Sequence, residues 1–221
     1  MPPANWSLNA ADEIIPVRNI YAIGWNYALH NEELNRRKDE PLIVFLKSSG
    51  TLLDDGAALR YPPNTRELHY EGELVALLGR DGYQVSEEEA LGLIWGYAPG
   101  IDFTLRDVQW GVRGKGQPWF PAKNFCGAAA VARFVPADQV AELGARRLQL
   151  LVNGITRQDS LLSAMNHGVA ALVSLISATV PLLRGDAIFT GTPQGVGECH
   201  PGDDIECRIE GLGSLRVKIS G

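Results

Sequence analysis

The chain has 221 residues, 45% hydrophobic and 21% charged, with a formal net charge of −6 and 3 cysteines. That composition excludes a disordered chain, a collagen-like repeat and a disulfide scaffold, and the length suffices for one domain that buries its own core. No basic run exceeds Asn35-Arg36-Arg37-Lys38, so the acidic balance argues against nucleic acid as a partner.

The first residues, MPPANWSLNAADE, carry neither a basic nor an apolar leader region, so no secretory signal is read there. From Pro16 to Ala28 the β-formers Val17, Ile20, Tyr21 and Ile23 predict a strand that stops at Gly24. His30 to Glu40 is almost wholly polar, which predicts a solvated helix or a mobile flap ended by Pro41. Strands are expected at Ile43 to Leu46 and Leu68 to Leu78, separated by turn clusters at Asp54-Asp55-Gly56 and Pro62-Pro63-Asn64. Ser86 to Glu89 has the form of a capping box opening a short helix, and Tyr97 to Thr104 reads as a further strand.

One main helix is expected after Asp159 or Ser160, carrying Leu161, Met165, Val169, Leu172, Val173, Ile176 and Val180 at three-to-four spacing until Pro181. His167 would lie on that helix as a surface or packing histidine. The apolar stretch around Val169 to Leu183 is interrupted by Ser174, Ser177 and Thr179 and is too short to span a membrane. The tail predicts strands at Ala187 to Thr190, Ile205 to Ile209 and Ser214 to Ile219, the last two joined through Gly211-Leu-Gly213. Strands outnumber helices, so the fold class is α+β and β-rich. Cys126, Cys199 and Cys207 are odd in number and irregularly spaced, which fits free thiols in a reducing cytoplasm.

The triplet Glu71-Gly72-Glu73 carries the most chemistry. Residues two apart on a strand face the same side, so both carboxylates leave one face beside the apolar run Leu74 to Leu78. Like charges so placed repel unless the strand is a solvated edge or a cation lies between them. Asp102 is a lone acid in the apolar run Gly100-Ile-Asp-Phe-Thr104. Three carboxylates with no thiol or imidazole partner describe a site for a hard cation, Mg²⁺ or Mn²⁺, with open positions for a chelating substrate and a water.

These residues stand in a series of segments that resembles the fumarylacetoacetate hydrolase superfamily. The series runs through Ile23-Gly-Trp-Asn-Tyr-Ala-Leu-His30 with Glu33, Phe45-Leu-Lys47 and His69-Tyr-Glu-Gly-Glu-Leu74. It continues with Gly96-Tyr97 through Asp102 to Gln109, Gly116-Gln-Pro-Trp119, Ala122-Lys123-Asn-Phe125, Arg157-Gln158 and Gly185-Asp186 through Thr190-Gly-Thr-Pro-Gln-Gly-Val-Gly197, and it covers nearly the whole chain. The length is similar to that of the small branch holding acylpyruvate hydrolases and oxaloacetate decarboxylases. The resemblance implies one catalytic domain over residues 1–221, a mixed β-roll, Mg²⁺ on Glu71, Glu73 and Asp102 with Mn²⁺ or Ca²⁺ as substitutes, and a homodimer. Cys126 and Trp25 depart from the family pattern, Cys126 in the support around Lys123 and Trp25 beside the pocket.

For function, the resemblance implies a hydrolase acting on the C–C bond of acylpyruvate-like 2,4-diketo acids, the substrate being a small anionic 2-oxo acid. Lys47, Arg106 and Lys123 would offset its charge, and Gln109 and Thr192 would supply neutral hydrogen bonds. Cleavage leaves a pyruvate enolate whose charge the metal accepts as a Lewis acid. His30 would take a proton from the attacking water, oriented by Glu33, and Lys123 completes the catalytic set. Decarboxylation or isomerisation of an oxo-dicarboxylate shares the enolate and is the alternative. A noncatalytic dicarboxylate-binding protein would need neither His30 nor Glu33.

Overall fold

The computed structural model describes residues 5–6, 13–33 and 42–221. The polar run from Leu34 to Pro41, including Arg36 and Arg37 of the expected flap, lies outside the described residues.

In chain order the first strands are β1 (Ile20–Gly24), β2 (Ile43–Lys47), β3 (Leu52–Asp54), β4 (Ala58–Arg60), β5 (Leu68–Tyr70) and β6 (Gly72–Leu78). Next come β7 (Ile94–Asp102), β8 (Thr104–Leu105), β9 (Ala129–Val131), β10 (Val135–Pro136), β11 (Arg147–Val152) and β12 (Ile155–Leu161). The chain closes with β13 (Ala187–Phe189), β14 (Gly197–Glu198), β15 (Asp204–Ile209) and β16 (Gly213–Ser220). Between them lie α1 (Ala28–Glu33), α2 (Glu87–Ala90), α3 (Arg106–Arg113), α4 (Phe120–Lys123) and α5 (Val169–Ser177). The class is α+β and β-rich, as the strand signals required.

The largest sheet runs β2-β1-β13-β6-β7-β9-β3, with β10 also pairing to β7. A second sheet runs β12-β11-β15-β16-β4, and a short third runs β14-β5-β8. β6 is buried along its whole length, which its unbroken apolar run Leu74 to Leu78 anticipates. Strands β11, β15 and β16 pack across β6 and β7, and the core lies between, with Leu74, Leu150, Cys207 and Leu215 fully buried. The capping box at Ser86 forms as read, Ser86 accepting from the Glu89 amide and Glu89 from that of Ser86.

Two expectations are corrected. The main helix starts at Val169, capped by Gly168, and not at Asp159 or Ser160, which belong to β12. His167 therefore precedes the helix, and its backbone is bound by the Asn26 side chain. An amphipathic helix at Arg106–Arg113 was not read from the sequence, because the positions it buries are Arg106 and Gln109.

Candidate metal centre

Glu71 occupies the break between β5 and β6, and Glu73 the second position of β6. β6 pairs antiparallel with β7 in a register that places Gly72 opposite Ile101, and the Asp102 amide donates to the Glu71 carbonyl at 2.8 Å. The hydrogen-bonded pairing thus brings the lone acid of β7 to the acidic triplet. Oxygens of Glu71, Glu73 and Asp102 all lie within 4.8 Å of one another, and the three residues are buried. Since β6 is an inner strand, the solvated-edge alternative does not apply. Gly72 keeps the strand close to its neighbours here: a Cβ would press to 3.1 Å from both Gln158 Oε1 and Leu150 Cδ1.

Three cations reach the acids. Lys123 Nζ donates to Glu71 at 2.6 Å, Asp102 at 2.7 Å and Thr104 Oγ1 at 2.6 Å. Lys47 Nζ donates to Asp102 at 2.5 Å and to the Lys123 carbonyl at 2.7 Å. Arg106 extends one nitrogen to Glu71, a second to Gln109 Oε1 and its Nε to His69 Nδ1 at 3.4 Å. Burial raises the Glu71 carboxyl, but Lys123 and Arg106 outweigh it and hold the group far below the ordinary range. Burial likewise opposes the Lys123 charge, and Asp102 and Glu71 overcome it. Burial, then the Arg106 charge, push His69 down to about 4, so it is a neutral buttress to Arg106.

Glu73 is different. Its carboxylate accepts the Gly191 amide at 2.7 Å and forms no ion pair among the described residues. Burial and the charges of Asp102 and Glu71 push it well above the usual carboxylate range. A buried oxygen donor set with one member lacking a counter-charge fits a hard divalent cation. Gly191 can present its amide because it holds φ +93°, a conformation costly for any side chain.

The predicted His30, Gln109 and Thr192 meet at the same pocket, a narrow cleft lined also by Arg106, Lys123, Glu71 and Glu73. The buried Asn26 positions α1 by donating to the carbonyls of Thr190 at 2.8 Å and His167 at 2.9 Å. From α1, His30 Nδ1 meets Glu33 Oε2 at 3.1 Å, and Glu33 accepts the Gly195 amide at 3.1 Å. Burial raises the Glu33 carboxyl, and the bonds from His30 and Gly195 more than reverse that, so it is held ionised. Thr192 Oγ1 donates to the Gly72 carbonyl at 2.9 Å and lies 2.8 Å from Gln158 Nε2. Its hydroxyl is therefore tied into the protein, locking the turn over the acidic triplet.

Two contributors were not read as such. Gln158 is fully buried, donates to Thr192 and Pro193, and accepts the Gly72 amide at 2.8 Å. Trp119 forms an aromatic wall with Trp25 and Phe45, its ring centroid 5.8 Å and 5.5 Å from theirs. Trp25 holds φ +73° and stacks on His30 at 6.0 Å, which puts this departure from the family pattern on the pocket wall. Cys126 is exposed and does not line this pocket.

A family model described as fumarylacetoacetate (FAA) hydrolase, C-terminal, matches residues 19–220. A mitochondrial oxaloacetate tautomerase from Rattus norvegicus is 40% identical over 202 residues, 91% of each chain. A fumarylpyruvate hydrolase from Ralstonia is 40% identical over 181 residues, 81% of this chain and 93% of its own. The crystal structure of fumarylpyruvate hydrolase from Pseudomonas aeruginosa, in complex with Mn²⁺ and pyruvate, superposes with a TM-score of 0.95 at 37% identity, covering 100% of this chain and 97% of that one.

Proposed function

The chain belongs to the fumarylacetoacetate hydrolase C-terminal family, and from that premise we propose that it is a Mg²⁺-dependent hydrolase of acylpyruvate-like 2,4-diketo acids. The observation that carries this reading is the convergence of a buried hard-cation site and a His30–Glu33 pair on one narrow pocket. Mg²⁺ on Glu71, Glu73 and Asp102, or Mn²⁺ or Ca²⁺ in its place, would supply Lewis-acid polarisation of a chelating 2-oxo acid.

The protein groups do the rest. Lys47, Lys123 and Arg106 bring three positive charges to Asp102 and Glu71, so with a divalent cation bound the site would be positive and suited to an anionic substrate. Gln109 fixes the Arg106 fork, which can then face the substrate carboxylate. With Nδ1 turned to the ionised Glu33, His30 has no Nε2 partner among the described residues and can take a proton from water there. That water's oxygen bonds to the distal carbonyl carbon, the C3–C4 bond breaks, and its electron pair leaves with the pyruvate fragment. The fragment recovers a proton at C3, so one water yields pyruvate and a carboxylic acid.

The oxaloacetate tautomerase relative supports the second reading, proton transfer or decarboxylation on an oxo-dicarboxylate, because the same acids and cations would bind that substrate. The two separate on His30. Removing a general base costs about 10²–10⁴-fold in the step that uses it. His30→Ala should therefore lower acetylpyruvate and fumarylpyruvate cleavage by that factor and spare oxaloacetate decarboxylation, which needs no attacking water. Equal loss in kcat/KM for all three would show that His30 is not the base. No helix among the described residues is long and apolar enough to cross a membrane. A cytoplasmic homodimer of a single catalytic domain completes the reading, supported by the free cysteines and the family resemblance.

A further inference from the structure

Beside its charged groups and His30, the pocket is lined by Ile23, Gly24, Trp25, Phe45 and Trp119, the Phe45 ring lying 5.3 Å from Lys123 Nζ and the Trp25 ring stacked on His30. Phe45 and Trp119 also line a second, adjoining groove, together with Val44, Leu46, Pro118 and Phe120. No charged residue lines that groove among the described residues. It follows β2, the outermost strand of the large sheet, where Val44, Leu46 and Phe120 are exposed.

Trp119 and Phe45 line both spaces, and Trp119 is held in place. Its indole lies so close to Gly24 that a Cβ there would meet its ring at 2.9 Å. Phe45 and Trp25 each meet the Trp119 ring in an edge-on arrangement. A substrate whose 2-oxo acid head sits at the carboxylates must send its distal arm across this aromatic pair. A carboxylate on that arm would lose its water against indole and phenyl surface, whereas an apolar arm gains by the same burial.

Resting on the acylpyruvate reading, we infer that this site selects acylpyruvates with an uncharged, apolar acyl arm, carried over Phe45 and Trp119 into the groove along β2. Trp119 and Phe120 are the specificity-determining residues. The continuity of groove and pocket through two shared side chains singles out the substrate arm as the occupant.

The test compares kcat/KM for acetylpyruvate, benzoylpyruvate and fumarylpyruvate in the full chain with Mg²⁺. Benzoylpyruvate should exceed acetylpyruvate by about tenfold or more, the scale of one well-buried apolar group, and should exceed fumarylpyruvate. Phe120→Glu and Leu46→Glu, both at exposed positions, should each cut the benzoylpyruvate-to-acetylpyruvate ratio about tenfold. The inference is overturned if fumarylpyruvate is preferred, as it would be were a distal carboxylate read by Arg113, whose guanidinium stacks 4.9 Å over the Trp25 ring. It is also overturned if both variants keep the ratio while light scattering shows a changed oligomeric state, which makes the groove an interface between copies. Calorimetry with Mn²⁺ separates the two levels of the reading. Phenylpyruvate, which has no bond to hydrolyse, should bind about tenfold tighter than pyruvate, and Phe120→Glu should erase the difference. If no acylpyruvate is cleaved yet that difference holds, the cleavage reading falls and the arm subsite stands; equal binding of the two acids removes the subsite.

Discussion

Glu73→Gln should have opposite consequences with and without metal. In chelator the substitution replaces a carboxyl whose charged form burial, Asp102 and Glu71 all disfavour, and keeps an oxygen for the Gly191 amide at 2.7 Å. The melting temperature in chelator should therefore not fall. With metal the same change removes a charged oxygen from a site of three. Losing a group that merely supports a ligand typically costs about 10–100-fold in affinity, so losing a ligand should cost at least about 100-fold. At a metal concentration 100 times the wild-type dissociation constant, binding stabilises the wild type by about 2.7 kcal/mol, and a 100-fold weaker site by about 0.4 kcal/mol. A chain of this size shifts by about 2–4 °C per kcal/mol. The metal-induced rise should then shrink from about 5–11 °C to about 1–2 °C. Differential scanning calorimetry in EDTA and in MgCl₂ reads both numbers. An undiminished metal shift, or a drop of more than about 4 °C in EDTA, would refute the placement of Glu73 as a ligand.

Gln158→Leu strands the Gly72 amide and the Pro193 carbonyl in the core and removes the donor to Thr192 Oγ1, so stability should fall by about 2–5 kcal/mol in urea titration, with metal affinity weakened through the loosened turn. Asp107 accepts from the Thr65 hydroxyl and from the amides of Arg66 and Val108. Burial raises its carboxyl, but those bonds prevail and hold it below its ordinary 3.8, so its stabilisation is present above that pH and is lost as pH falls through the lowered value. Asp107→Ala should accordingly cost about 1–2 kcal/mol at pH 7, and the gap to wild type should narrow below pH 4; a gap independent of pH would contradict the ionised contact.

The legible parts of the fold were those whose signal is local or periodic: the buried run of β6, the Ser86 capping box and the final hairpin. The clustered acids were legible because carboxylates in apolar strands contradict their surroundings. Gln158 was not, since β12 is exposed along most of its length and a single inward glutamine breaks no pattern. The start of α5 was misplaced because Leu161 and Met165 extend the helical spacing of Val169 and Leu172 by coincidence. Leu161 in fact ends a strand and is exposed. α3 escaped for the reverse reason: its inward face is built from Arg106 and Gln109, which serve the site and leave no apolar stripe.

The parallel pairings of β1 with β13 and of β4 with β16 join residue 20 to residue 187 and residue 58 to residue 218. The two largest sheets therefore cannot close until almost the whole chain has emerged and collapsed, a topology that folds slowly. The Gly191 turn that completes the acidic group follows directly on β13, so the ion-binding geometry is a late product of that closure. An interaction absent from the transition state acts on the escape rate alone. Mg²⁺ should leave the refolding arm of the chevron where it is and lower the unfolding arm, making the ion a brake on unfolding rather than a guide to folding.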